Sequence, residues 1–499
     1  MNKGKFMTKL TITYKDWVHC QVNGLDKNDL SKVYKHLQIF NPAARYTPLY
    51  KLGRWDGNIN FFGLTGLTYT SLIPEIMSQI DYSKYEIEEI FPENVIEDPD
   101  IDEYIDENYM SDILWYEGHR LAGQPIMLQE HQVRCVNAML SNHKGLLEAA
   151  TSAGKTLICG ALCRKIKPYG KIVLIVDGKD LCFQTADELQ KFGSDVGIVG
   201  CGLRDFGHDV TVCTWQTINS ISKRSKESLT TDELKQLTDG VVAMIFDEVH
   251  RCKGNEVKKV AEQVFNRVPI RWGLTGTIPK QKIDYYNLVT AIGPLLDENV
   301  KAKELQDKGF LSNCKINCVR LKDNSAFMAW EDEKDYLASN KDRLAFMSSL
   351  IAGIVLQQKN TLVLVDRIVT GEVLEDMLKK QGVDVIFLQG NVKSTKRFEE
   401  YKKFANEDNK CVIAIDKIAS TGLNIPRLFN IVFIDYGKAF TKTIQSIGRG
   451  LRRASDKDFV TIYDISSTTR YSKKHFNDRI HFYEDAQYPY QVMNIDKWK

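Results

Sequence analysis

Short apolar segments with the composition of β-strands alternate with helical patterns along most of the chain, in two successive series. Near-continuous apolar strands separated by helices are typical of parallel sheets covered by helices on both faces. We therefore predict an α/β protein with two such sheets and a junction near residues 297–320. The predicted strands are residues 145–148, 171–176, 209–214, 241–246 and 271–274 in the first series, and 361–365, 383–388, 411–415, 430–434 and 459–463 in the second.

The first 85 residues have a different pattern. A strand-like segment at residues 9–14 is followed by a helical segment at 29–39 and a turn-rich segment at 54–58. We predict a small α/β domain here that binds nucleic acid or selects the substrate, with Asp56 and Gly57 in a hairpin turn. Some of its aromatic side chains either fill a core or contact bases; they are Trp55, Phe61, Phe62 and Tyr69.

A strongly acidic segment follows this domain. Residues 86–112 contain twelve Asp and Glu residues and neither Lys nor Arg, whereas the whole chain has a net charge of +2. Removing these twelve negative charges leaves +14 on the rest of the chain, which suits an anionic polymer as partner. We predict an acidic linker over residues 86–118; the alternative is a segment that competes with nucleic acid for the basic surface.

The overall composition limits the class of protein. Of the 499 residues, 43% are hydrophobic and 26% are charged, as in ordinary globular proteins. No apolar run approaches the roughly 18 residues of a membrane span, so we expect no membrane association and a location in the cytoplasm, that of the host cell if a phage encodes the chain. The eleven cysteines lack zinc-ligand spacing, so we expect buried thiols and no structural metal.

One loop after the first predicted strand has the pattern of a phosphate-binding site. Small residues allow backbone N–H groups at a helix N-terminus to approach phosphates, and a lysine adds a positive charge. A following hydroxyl is suited to a magnesium ion. The sequence therefore predicts ATP and Mg²⁺ as cofactors. The loop comprises Thr151, Ser152, Ala153, Gly154, Lys155 and Thr156.

Two carboxylates end a later strand of the same series. Asp247 and Glu248 directly follow residues 241–246, and His250 comes two positions later. Phosphoryl transfer requires a metal ligand and a group that orients the attacking water, roles that we assign to Asp247 and Glu248. We predict that His250 couples this site to its surroundings; the alternative is a packed histidine at a strand end.

A run of arginines follows the second sheet, in residues 445–453. The arginine side chain is planar and permanently charged, which suits it to triphosphate oxygens. If the two sheets face each other across the nucleotide, Arg449 and Arg452 reach the phosphates bound by Lys155. The alternative is a solvated basic helix face. With the loop and the carboxylates, the arginines indicate an ATP-driven motor.

Taken together, these residues resemble the motifs of the superfamily 2 helicases. The resemblance implies two tandem RecA-like domains after the small domain, which we place at residues 119–312 and 313–499. It implies that Gln132 reads adenine and that Asn424 occupies the ribose position, where many relatives carry Asp. It also implies a coupling role for Thr275, Thr277 and Gln445. The candidate nucleic-acid contacts are Arg54, Trp55, Thr214, Trp215, Arg367, Lys393 and Thr421.

A narrower resemblance, to the phage UvsW-type branch-migration helicases, covers nearly the whole chain. It rests on the turn at residues 55–57, the loop at 150–156, the segment at 214–217 and the helical pattern at 447–452. It implies an ATP-dependent DNA helicase or translocase that remodels branched or forked DNA, which we expect to be a monomer. Two alternatives stay open: a motor subunit of a restriction or repair nuclease assembly, and a nucleotide-gated binding switch.

Overall fold

A computed structural model describes the chain in two compact units, one formed by residues 1–149 and 154–299 and the other by residues 150–153 and 300–499. Within the described ranges, no helix is long and apolar enough to cross a membrane. These ranges are residues 7–92, 96–101, 104–117, 119, 121–150, 153–227, 232–252, 258–308, 313–357, 359–388, 407–415, 428–434, 459–485 and 488–498.

The N-terminal domain is built on a four-stranded mixed sheet. Its elements are β1 (Thr8–Tyr14), β2 (His19–Asn23), α1 (Lys27–His36), β3 (Gln38–Phe40), α2 (Pro48–Lys51), β4 (Asn58–Asn60), β5 (Leu67–Tyr69), α3 (Ile73–Ser78) and β6 (Tyr85–Ile90). The strand order is β5-β2-β1-β6, with β1 antiparallel to β2 and parallel to β6. Leu10 and Ile12 of β1 are buried because alternate residues of a strand face the same side.

The segment around Gly57 differs from the predicted hairpin turn. Strand β3 pairs with β4, so their connection spans residues 41–57. Asp56 and Gly57 instead form the turn into β4, where Asp56 Oδ1 accepts a hydrogen bond of 2.9 Å from the N–H of Asn58. Gly57 has a φ of +82°, and a Cβ there would lie 2.6 Å from the Phe40 ring. An Asp-Gly pair marks a turn, but it does not identify the strand with which the next strand pairs.

The first large sheet has the order β10-β9-β11-β8-β12-β13-β7-β14. The five predicted strands of the first series are confirmed as β7, β8, β11, β12 and β13, joined in parallel pairs. The elements are α4 (Glu130–Ser141), β7 (Lys144–Ala149), α5 (Lys155–Ile166), β8 (Lys171–Val176), α6 (Lys179–Lys191), β9 (Val196–Gly200), β10 (Leu203–Arg204), β11 (Val210–Thr214), α7 (Trp215–Glu227), α8 (Asp232–Thr238), β12 (Val241–Asp247), β13 (Ile270–Thr275), α9 (Lys282–Ala291) and β14 (Leu295–Val300).

The second large sheet has the order β17-β18-β16-β19-β20-β15-β21, and its strands pair in parallel. The predicted second series is confirmed as β16 to β20. The junction predicted near residues 297–320 overlaps β15. In this strand the apolar residues alternate with Lys315 and Asn317. The elements are α10 (Ala302–Asp307), β15 (Asn313–Leu321), α11 (Trp330–Ser339), α12 (Lys341–Val355), β16 (Thr361–Val365), α13 (Ile368–Lys380), β17 (Asp384–Leu388), β18 (Lys410–Ile415), β19 (Asn430–Ile434), β20 (Phe459–Ser467), α14 (Arg470–Asp485) and β21 (Tyr490–Ile495).

The N-terminal domain shares a hydrophobic core with the first large sheet. Phe61 and Phe62 are buried in it, and the Phe61 ring lies 5.3 Å from that of Tyr286 on α9. Polar contacts join the same two parts: Lys144 Nζ donates to the Trp17 carbonyl at 2.9 Å, and the Trp17 N–H donates to the Asn266 carbonyl at 2.9 Å. The structure therefore groups in one unit two parts that the sequence analysis separates near residue 85.

The acidic segment, which we predict to be a linker over residues 86–118, makes contacts with this unit. Its first residues form β6, and Asp98 pairs with His143 at 2.7 Å. Asp112 accepts two hydrogen bonds from the Arg164 guanidinium on α5, at 2.6 and 2.9 Å. The charge count identified the segment but not the basic partners that hold it.

A buried arginine ties this unit together from the middle of β13. The Arg271 guanidinium is 1% exposed and donates to the carbonyls of Ala261, Phe265 and Ala291 at 2.6 to 3.1 Å. Burial lowers its pKa to about 9, and because this value is still above 7 the guanidinium is charged at neutral pH. An unsatisfied buried acceptor costs about 1–3 kcal/mol, so Arg271→Met is expected to destabilise the protein by about 3 kcal/mol or more.

Chemical denaturation of the full chain measures this loss. The exposed Arg267 provides a matched control, since Arg267→Met removes the same group from the surface. Equal stability of the two variants would contradict the assigned role of Arg271.

Candidate active site

The phosphate-binding loop leads directly into α5. Gly154 is the N-cap residue of this helix and has a φ of +81°, a conformation that favours glycine. A Cβ at this position would collide with Nε2 of Gln132. The side-chain Oε1 of Gln132 accepts a hydrogen bond of 2.9 Å from the Gln129 N–H in a capping box at the start of α4. The glycine therefore permits close contact between the loop and the residue predicted to read adenine.

Lys155, the first residue of α5, forms an ion pair with Glu248. Its Nζ lies 2.9 Å from Oε1 of Glu248, and the two side chains are only 10% and 11% exposed. The same ammonium group also donates to the Ala149 carbonyl at 3.4 Å. The structure thus brings together the cation and the carboxylate that the sequence assigns to phosphate binding and to water orientation.

Glu248 adopts an unusual backbone conformation immediately after β12. Its φ is +51°, which non-glycine residues rarely adopt, and its N–H donates to the Asp247 side chain at 2.9 Å. Such conformations persist where the surrounding contacts require them, often at functional sites. Here the conformation directs the Glu248 side chain toward Lys155.

His250 continues this polar chain toward the end of β13. Its Nδ1 lies 3.4 Å from Oε2 of Glu248 and 2.7 Å from Oγ1 of Thr275. The Thr275 hydroxyl donates to the Thr277 carbonyl at 2.8 Å, so its single proton is already used. His250 Nδ1 must therefore carry a proton and donate to Thr275. A continuous chain of contacts links Lys155 to Thr277.

Thr156 and Asp247 are the predicted metal ligands, and their surroundings fit hard oxygen ligation. Thr156 follows Lys155 at the start of α5, and Asp247 precedes Glu248 at the end of β12. The ion pair of Lys155 and Glu248 therefore brings the ends of these two elements together. A hydroxyl and a carboxylate so placed are suited to Mg²⁺.

The predicted nucleic-acid residues of the first large sheet lie at the carboxyl end of β11. Thr214 ends this strand, and its Oγ1 lies 2.8 Å from Oγ1 of Thr217. The Trp215 indole donates to Asp177 at 3.1 Å, and Gln216 Nε2 donates to the same oxygen at 3.4 Å. Sequence analysis missed Asp177, although its position directly after β8 places it on the same edge.

In the second unit, Arg367 is the predicted nucleic-acid residue that the structure describes. It precedes α13 and pairs with two carboxylates on α11, at 2.7 Å from Asp335 and 3.3 Å from Glu331. A phosphate would have to compete with both. The other predicted site residues of the loop and of the second domain lie outside the described residues; they are Thr151, Ser152, Lys393, Thr421, Asn424, Gln445, Arg449 and Arg452.

The residues of the N-terminal domain that are candidates for nucleic-acid contact differ from one another in exposure. Arg54 is exposed, whereas Trp55 is half-buried and its indole donates to the Asn58 carbonyl at 2.9 Å. Phe61 and Phe62 belong to the core, so the packing alternative applies to them, and Tyr69 packs against the same core.

Two family profiles match the chain. Residues 125–280 match the family described as type III restriction enzyme, res subunit, and residues 343–454 match the helicase conserved C-terminal domain. Together they span slightly more than half of the chain. The first match contains the site described above, from Gln132 to Thr277.

Known proteins resemble the chain beyond these profiles. It is 24% identical to the ATP-dependent DNA helicase uvsW of Enterobacteria phage T4, over 98% of this chain and 99% of the relative. A DNA-bound ATP-dependent type ISP restriction-modification enzyme, LlaBIII, shares the fold with a TM-score of 0.56 and 14% identity, over 86% of this chain and 34% of that one. A fragment of a putative HsdR subunit of a type I restriction enzyme from Vibrio vulnificus has a TM-score of 0.54 and 16% identity, over 79% of this chain and 72% of that one.

Proposed function

Because the chain belongs to the superfamily 2 helicases, with two RecA-like domains, we propose that it is a DNA-dependent ATPase that remodels branched or forked DNA. The observation that carries this proposal is the polar chain from Lys155 through Glu248 and His250 to Thr275. It joins a phosphate-binding cation to a water-orienting carboxylate and extends to the strand end where family motifs couple hydrolysis to movement.

The ion pair of Lys155 and Glu248 supports a specific order of events. A triphosphate carries more negative charge than one carboxylate, so its oxygens attract Lys155 away from Glu248. The released carboxylate is then free to orient the attacking water. His250 Nδ1 keeps its hydrogen bond to Thr275 at the end of β13 and also contacts Glu248. A movement of Glu248 is therefore passed through His250 to the end of β13.

Mg²⁺ is the metal that we propose for Thr156 and Asp247, where it would neutralise charge on the transferred phosphoryl group. We further propose that Arg449 and Arg452 act on the same phosphates from the second domain and that Gln445 has a coupling role. Ser152, Thr151 and Asn424 complete the proposed nucleotide site.

DNA is the polymer that we propose as partner. Three observations support this proposal: the phage T4 relative is named a DNA helicase, the residues outside the acidic segment carry a net charge of +14, and the carboxyl end of β11 has a polar edge. This edge is formed by Thr214, Trp215 and Gln216. Contacts to phosphates carry no base information, so the grip is sequence-independent. We propose a monomer in the cytoplasm as the working form.

We expect DNA to stimulate ATP hydrolysis strongly and DNA binding to weaken steeply with salt. Binding that neutralises about six phosphates loses about a thousandfold in affinity between roughly 50 and 200 mM salt, because bound counterions are released. Fluorescence anisotropy and steady-state ATPase rates on fork, four-way junction and linear duplex test both points. An ATPase indifferent to DNA would favour the nucleotide-gated switch, and parallel assays on RNA of equal length decide between the polymers.

A restriction-type motor is the second candidate. It is favoured by the match of residues 125–280 to a restriction-enzyme family and by the fold shared with two restriction motors. In that case translocation would serve a nuclease on another chain. A nuclease that copurifies with the protein, together with no processing of junctions by the isolated chain, would support this candidate.

A further inference from the structure

The connection between β3 and β4 forms a compact loop that carries an exposed apolar and basic surface. This branch loop, defined here as residues 41–57, contains three exposed large apolar side chains: Tyr46 is 83% exposed, Leu49 54% and Leu52 66%. Large apolar side chains clustered on a surface mark interaction sites more often than chance exposure. We propose that this loop contacts the bases at the branch point of DNA, an inference that rests on the proposed function.

The loop is held in shape by its own contacts. The Asn41 N–H donates to the Gly57 carbonyl at 2.8 Å and closes the neck, while Thr47 Oγ1 donates to the Ala44 carbonyl at 2.7 Å. Ala44 is fully buried, and a Cβ on Gly57 would lie 3.1 Å from its side chain. The internal packing of the loop therefore uses other residues than the three exposed ones. A loop whose backbone is already held in shape loses little backbone entropy when it binds a partner.

The charges of the loop favour nucleic acid over an apolar protein surface. The loop contains three exposed basic residues, Arg45, Lys51 and Arg54, and one acidic residue, Asp56, whose carboxylate accepts hydrogen bonds from Asn58. The Arg45 guanidinium lies 5.5 Å from the centroid of the ring of Phe40, the residue that precedes the loop. Basic groups that flank an aromatic ring match a strand in which phosphates flank each base.

The apolar residues favour a branch point over a continuous duplex. In an intact duplex each base is stacked between its neighbours, so a tyrosine ring finds no free base face. At a branch the stack is interrupted, and the terminal pairs offer a face to Tyr46, while Leu49 and Leu52 provide an apolar wedge. The loop thus contributes affinity where strands separate and little elsewhere.

Substitutions in the loop test this inference in the full chain. Tyr46→Ala combined with Leu49→Ser and Leu52→Ser is expected to lower the affinity for a four-way junction by about tenfold or more, the loss of one stacked base. Affinity for linear duplex should stay within about twofold. Tyr46→Phe should retain junction binding, because the stacking ring is kept. The matched control is Tyr82→Ala with Leu64→Ser, which removes exposed apolar side chains of the same domain from outside the loop.

A second readout reports base contact directly. A 2-aminopurine placed at the branch point should change fluorescence on binding of the wild-type protein, and this change should be lost with Tyr46→Ala but kept with Tyr46→Phe. Unchanged junction binding and fluorescence in the triple variant would overturn the inference alone. A wild-type protein without preference for junctions over linear duplex would overturn both the inference and the branched-DNA function.

Discussion

Replacing Glu248 with Gln is expected to lower the kcat for ATP by about 10²- to 10⁴-fold while ATP affinity stays nearly unchanged. The neutral amide cannot take a proton from the attacking water as the carboxylate can, but it leaves Lys155 in place. Lys155→Ala should abolish turnover by another route, because the phosphates lose their cation and nucleotide affinity falls as well. Isothermal titration with ATP and single-turnover hydrolysis distinguish the two effects.

Because the ion pair of Lys155 and Glu248 is buried, the stability of each variant must be measured alongside its activity. Removing one partner leaves the other charge buried without it, which destabilises a protein beyond any effect on chemistry. The double variant Lys155→Met/Glu248→Gln removes both charges, so thermal unfolding of the singles and the double isolates this contribution. Lys167→Ala is the matched control at the other end of α5, where the lysine pairs with Asp209 at 2.6 Å on the surface. Near-normal turnover in a folded Glu248→Gln variant would remove Glu248 from the site.

Loss of Arg449 or Arg452 is expected to reduce kcat by about 10³-fold or more, the effect of removing an arginine that stabilises charge on the transferred phosphoryl group. Arg→Lys should restore little, because an ammonium lacks the planar fork. DNA affinity without nucleotide should largely survive. The experiment compares ATPase rates and DNA binding of Arg449→Ala, Arg452→Ala and the surface variant Arg267→Met. Intact turnover with collapsed DNA affinity would make the arginines a DNA-binding face.

Regular patterns of the sequence predicted the parallel sheets well. The strands at residues 171–176 and 361–365 have the predicted bounds, because continuous apolar runs between helices allow few other structures. Strand β15 was missed because its exposed face carries polar residues, so the segment lacks a continuous apolar run. The pairing of β3 with β4 across residues 41–57 was missed because short strands with a long connection leave no periodic signal.

The candidate site followed from motif chemistry, whereas its connections required the structure. Residue type and spacing identified Lys155, Glu248 and His250, since phosphate chemistry requires such groups. The direct ion pair depends on the positive φ of Glu248, which no pattern of residues encodes. Asp177 was missed for a related reason: its contact with Trp215 joins the ends of two strands that are neighbours in the sheet but 38 residues apart in the chain.

The shared core of the N-terminal domain affects how the protein is made. Phe61 and Phe62 leave the ribosome long before Tyr286, with which Phe61 packs. At roughly 5–20 residues per second, translation of the intervening chain takes about 10–45 s. During that interval the nascent domain presents an apolar face without its permanent neighbour. Synthesis of this helicase therefore includes a period of exposure to aggregation, in which a chaperone that covers apolar surface would raise the yield of active protein.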